Sequence, residues 1–99
     1  MAAMERYFEW DESKAQSNLR KHGIRFEEAV WVFSDAFALS AQDRIENGEE
    51  RWQTIGMVGG CLLILVAHTV RMEDEGLECI RIISARRADR TERKRYEQA

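Results

Sequence analysis

Arg51, Arg71 and Arg81 fall in segments whose alternation can bring them to one side of a sheet. In Leu77 to Ser84, Ile80 and Ile82 share one side, while Arg81 shares the other with Cys79 and Ile83. In Arg51 to Val58, Arg51 lies on the side of Gln53 and Ile55. Arg71 closes the apolar run Cys61 to Val70. Side chains two apart in a strand share a face, so the three arginines converge if these runs pair in that register. Converged guanidiniums bind phosphate bidentately, stay charged at any relevant pH, and stabilise the extra charge of a phosphorane-like transition state. The competing reading pairs each with Glu9, Glu49, Glu50 or Glu78 in surface ion pairs of little worth. A one-residue slip would reverse the faces.

His22 and His68 are the side chains whose ordinary titration lies near neutrality. His22 falls at the expected C-terminal end of a helix, between Lys21 and Gly23. The negative end of the helix dipole favours positive charge there and suits it as a proton donor. The alternative is a cap that bonds a terminal carbonyl. His68, between Ala67 and Thr69 in an apolar run, reads as a satisfied, half-buried histidine. Tyr96 follows Arg93-Lys94-Arg95 and either anchors the last helix or stacks on a base. Trp10, Trp31 and Trp52 read as core or sheet-edge packing.

Positioning these groups needs a scaffold, and the chain's punctuation supplies one. Tyr7 to Trp10 reads as a strand. Asp11 then caps a helix that runs to about His22 and stops at Gly23. Lys14, Asn18 and His22 lie at i, i+4 and i+8 on that helix, away from the apolar pair Ala15 and Leu19. Phe26, Ala29, Val30 and Phe33 predict a second, amphipathic helix ending near Ser34-Asp35. Strands follow over Ala36 to Asp43, Arg51 to Val58, Cys61 to Val70 and Leu77 to Ser84. Their turns are Glu46-Asn47-Gly48-Glu49, Gly59-Gly60 and Glu73-Asp74-Glu75-Gly76. Asp89 to Gln98 predicts a closing helix. The order β-α-α-β-β-β-β-α implies an α+β fold with an antiparallel meander, two helices on one sheet face and the other face open. The 99 residues suit a single domain over 1–99.

Composition narrows the function. With 44% apolar and 33% charged residues, the chain has the material for a core and a heavily charged surface. Net charge is −3, so the whole molecule is no general polyanion binder. Seven of the residues from Arg81 to Arg95 are Arg or Lys, which makes a local basic site on an acidic body. The apolar run of seven from Cys61 is too short to span a bilayer, and Met-Ala-Ala-Met-Glu-Arg at the start has no signal core. Cys61 and Cys79 read as two buried free thiols of a cytoplasmic protein, with a cross-strand disulfide as the lesser alternative. The sequence contains no P-loop, GxGxxG, HExxH, GxSxG or Cys/His ligand spacing, so no cofactor and no metal are expected.

Several motifs together resemble one family. They are Phe8-Glu9-Trp10-Asp11, Lys14, Asn18, Lys21-His22-Gly23-Ile24, Phe26-Glu27-Glu28-Ala29, Val32-Phe33-Ser34-Asp35, Glu50-Arg51-Trp52, Ile55-Gly56, Thr69, Arg71, Ile80 to Arg86, Glu92 and Tyr96. The chain is similar to the BrnT toxins along nearly its whole length. That resemblance implies a RelE-like fold and a growth-arresting, metal-independent endoribonuclease. It implies neutralisation by a BrnA-type antitoxin with a ribbon-helix-helix part, and contact with DNA only through that antitoxin. It places Arg51, Arg71, Arg81 and Arg86 around a phosphate. His22 becomes the proton-transfer candidate, Glu50 a base or orienter, and Ser84 a supporting donor. Lys21, Arg87, Arg90 and Tyr96 become RNA contacts. A non-catalytic protein-binding or corepressor subunit is the alternative. A small RNA-binding domain without catalysis is the weaker third.

Overall fold

The computed structural model describes residues 5–74 and 76–99. The readings that touch Met1 to Met4 and Glu75 lie outside them. The elements are β1 (Glu5–Glu9), α1 (Glu12–His22), α2 (Phe26–Ala29), a 3-10 helix (Val30–Ser34), β2 (Leu39–Glu46), β3 (Glu49–Val58), β4 (Leu62–Asp74), β5 (Leu77–Arg87) and α3 (Arg90–Gln98).

β2 to β5 form an antiparallel meander in one five-stranded sheet of order β1-β5-β4-β3-β2. Its tight hairpins need positive φ at two successive residues. Asn47 and Gly48 supply 53° and 78°, and Gly59 and Gly60 supply 63° and 75°. β1 adds to the far side of β5 in parallel, from Glu5 opposite Leu77 to Glu9 opposite Arg81. Beyond Arg81 no strand among the described residues lies beside the edge of β5, and α1 lies there instead.

α1 starts where the sequence places it. Asp11 accepts from the amides of Ser13 and Lys14, and Gly23 ends the helix in a left-handed conformation. The expected second helix is different. It makes one α turn and then tightens into the 3-10 helix, so that Phe26, Ala29 and Val32 are fully buried while Trp31 is 63% exposed. Trp31 is therefore not core. Asp35 then holds the amide of Phe37 in a local turn, which delays β2 to Leu39 rather than Ala36.

The main core lies between α1, α2, the 3-10 helix and one sheet face, where Ile24, Phe26, Val32, Ile64, Val66, Ile80 and Ile82 are buried. Each such large side chain contributes about 1.5–3 kcal/mol. Gly56 is part of this packing. A Cβ there would meet the Val32 carbonyl and Cγ1 at 2.7 Å, so the 3-10 helix can touch β3 only across glycine. The second sheet face is not wholly open. α3 covers one end of it, with Tyr96 and Ala88 on Ile55, Leu63 and Leu65. Cys79 is buried, but Cys61 is exposed at the β3–β4 hairpin, and the two thiols are free. Among the described residues, no helix is long and apolar enough to cross a membrane.

Candidate active site

The uncovered part of the second sheet face carries the three arginines. Arg81 pairs with Thr69 across β4–β5, and Arg71 pairs with Cys79. The β3–β4 ladder starts at Trp52 opposite His68, so its extension sets Arg51 opposite Thr69. Arg51, Thr69, Arg81 and Glu9 thus form one row across four strands, with Arg71 two residues along β4. Strands are about 4.8 Å apart, so the Arg51 and Arg81 backbones stand about 10 Å apart.

The three guanidiniums differ in what they touch. Arg71 bonds Glu73 and lies 3.7 Å from Glu9. The Glu73 hydrogen bond, followed by the nearby Cys79, Glu73 and Glu9, strengthens its hold on its proton. The nearby Glu73, more than Cys79, pushes the Tyr7 hydroxyl above its usual range. Arg51 reaches Glu46 and Glu49 only at 3.7 and 3.9 Å, and its buried Nε has no hydrogen-bond partner. Arg81 is exposed and, among the described residues, makes no ion pair.

Further along β5, Lys14, Ser17, Asn18, Lys21 and His22 of α1 meet Ile83 and Ser84 around a shallow cavity of about 160 Å³. This brings together Lys21, His22 and Ser84 of the expected site. A register shift on β5 at Ile83 marks the boundary between this cavity and the arginine row. His22 is exposed and, among the described residues, bonds no terminal carbonyl; the Leu19 carbonyl accepts from Gly23 instead. Asn18 is 6% exposed and faces inward. Its amide bonds the carbonyls of Ile24 and Ala85, and its oxygen accepts from the Ala85 amide. Asn18 thereby does for the bare edge of β5 what a neighbouring strand would do.

Other expected site residues stand apart. Glu50 is next to Arg51 in a strand and so faces the opposite side of the sheet. Arg86 grips Glu92 bidentately at 2.8 Å and tacks α3 to β5. That bond holds Glu92 low and Arg86 high relative to their usual ranges. Tyr96 donates to Asp35 at 2.6 Å, so it anchors α3. Arg87 and Arg90 are exposed around the start of α3. His68 is 3% exposed, so it is fully rather than half-buried, and its ring nitrogens are bonded. Its Nδ1 faces the Thr69 carbonyl, which can only accept, so Nδ1 carries the proton. Nε2 then accepts from Thr54, and Thr54 from Ser40, both at 2.7 Å.

Glu9 and Thr69 of the row were outside the expected site. Only the parallel β1–β5 pairing, across 72 residues, brings Glu9 there, and no local signal encodes it. Among the described residues, no three His, Cys, Asp or Glu side chains group as a metal site.

Comparison with known proteins gives this arrangement a family. Residues 10–92 match the family model described as ribonuclease toxin, BrnT, of type II toxin-antitoxin system. Among solved structures, the Brucella abortus ribonuclease toxin BrnT superposes with a TM-score of 0.64 at 25% identity, covering 87% of this chain and 99% of that one. No curated protein matches. The family match spans most of the chain and includes Arg51, Arg71 and Arg81, while Glu9 and Tyr96 fall just outside it, and the chain belongs to the BrnT family of ribonuclease toxins.

Proposed function

We propose that this chain is a metal-independent endoribonuclease of RelE-like fold that cuts RNA on the open sheet face. Arg81 is its principal phosphate ligand, Arg51 a second, and Arg71 a more distant charge. His22, beside Ser84 and Lys21, supplies the proton for the leaving group. Lys21, Arg87 and Arg90 guide the RNA backbone. Arg86 and Tyr96 serve by fixing α3, and Glu50 has no part in the chemistry. The partner is a BrnA-type ribbon-helix-helix antitoxin in the cytoplasm, through which alone the toxin meets DNA.

One observation carries this reading. Among the described residues, Arg81 is exposed on the open face with no carboxylate partner, and Arg51 leaves a buried Nε without an acceptor. A buried donor left unpaired costs about 1–3 kcal/mol, and a phosphate oxygen is a fitting acceptor for it. The non-catalytic binding subunit finds its support in Arg71, whose guanidinium is already occupied by Glu73 and Glu9.

The test is cleavage of RNA by the purified chain in excess EDTA. The proposal expects products ending in 2′,3′-cyclic phosphate. Intact RNA, with the fold verified by circular dichroism, would move the reading to the binding subunit.

A further inference from the structure

We infer that Glu9 is the general base that takes the proton from the 2′-hydroxyl. This inference rests on the ribonuclease reading above and deepens it. Cleavage through the neighbouring hydroxyl needs a proton acceptor close to the phosphate ligands. Glu50 faces the other side of the sheet. Glu9 pairs in register with Arg81 and shares its face, and its carboxylate lies 3.7 Å from Arg71.

The other carboxylates near this face are occupied or remote. Glu73 is held by the Arg71 guanidinium. Glu46 and Glu49 flank Arg51 at the β2–β3 hairpin. Glu92 is locked to Arg86. Glu5 stands at the far end of β1, about 13 Å from Glu9 along the strand. Glu78 neighbours Cys79 in the strand and so faces the helices, where it holds Arg6. Glu9 keeps a 38% exposed side chain in register with Arg81, which makes no ion pair among the described residues, and its contact with Arg71 is a 3.7 Å ion pair. The row therefore places a carboxylate next to a phosphate ligand, the order that the reaction needs.

The step balances as follows. Glu9 accepts the 2′-hydroxyl proton while the 2′-oxygen forms a bond to phosphorus. The bond from phosphorus to the 5′-oxygen breaks, and that oxygen takes a proton from His22, the acid of the reading above. The products are a 2′,3′-cyclic phosphate and a 5′-hydroxyl. Arg81 and Arg51 hold the non-bridging oxygens as their charge grows. The charged and titratable groups around Glu9 are Arg71 and Glu73 on β4, Cys79 and Arg81 on β5, and Tyr7 and Asp11 along its own chain.

The experiment compares wild type, Glu9→Gln and Glu9→Asp on a short RNA oligonucleotide under single-turnover conditions across pH. Thermal melts accompany each variant. Glu9→Gln should slow cleavage by about 10²-fold or more, with the acid-side limb of the rate profile lost. Glu9→Asp should recover part of the rate and restore that limb. Wild type that cleaves, with Glu9→Gln within about threefold of it or slowed with the limb intact, overturns the assignment of Glu9. Wild type that leaves the RNA whole overturns the ribonuclease reading on which it rests.

Discussion

Arg81 pairs with Thr69 across β4–β5, and Arg51 stands on the other side of β4, one residue past the end of the β3–β4 ladder. Thr69 is 5% exposed, so the floor between the two guanidiniums is closed. Two forks above such a floor suit one phosphodiester. Arg51→Lys keeps the charge but loses the fork. Its cleavage rate in a single-turnover assay should fall by about tenfold or more, with an unchanged melting temperature.

Arg86 should behave oppositely. Its bidentate bond to Glu92 joins β5 to α3, and Glu92 is 7% exposed. Arg86→Ala strands that carboxylate and should cost about 2 kcal/mol in a urea titration, less than a fully buried pair because the guanidinium is partly wet. A loss of cleavage without loss of stability would return Arg86 to the phosphate site.

Asn18→Ala should destabilise by about 3 kcal/mol, because it leaves the buried amide and carbonyl of Ala85 unpaired on the bare edge of β5. Gly56→Ala should cost about 1–3 kcal/mol by pushing the 3-10 helix off β3. Chemical denaturation measures both. Either variant melting like wild type would contradict the packing described.

These two residues show where sequence reading stops. The alternation of Ile80 and Ile82 against Cys79 and Arg81 marked the core face, and Asn47-Gly48, Gly59-Gly60, Asp11 and Gly23 marked turns and caps. Such signals are local. Asn18 reads as one of a polar helix stripe, because its partner Ala85 lies 67 residues away. Glu9 reaches Arg81 only through the β1–β5 pairing. Arg86 was expected at the phosphate, since the turn that brings Glu92 back to it is made by α3 and its cap. Glu50 and Arg51 are neighbours in the motif, and strand pleating separates them.

His68 sets a pH dependence of stability. Burial is the main cause and pushes its pKa below the usual value, outweighing the Thr69 carbonyl and Glu78. The unfolded chain therefore binds a proton before the folded one does. The contribution is complete above about pH 6.5 and is lost as pH falls from there through the folded value. Melting temperature should drop over that window in wild type, and less in His68→Gln. Equal slopes would remove His68 as the cause.

The most direct test of the arginine face is Arg81→Ala beside wild type, each expressed from an inducible promoter and scored for growth and total RNA integrity. Growth arrest with RNA loss in wild type, and normal growth with intact RNA in equally abundant, folded Arg81→Ala, is the expected result. Undiminished arrest and RNA loss in Arg81→Ala would contradict it.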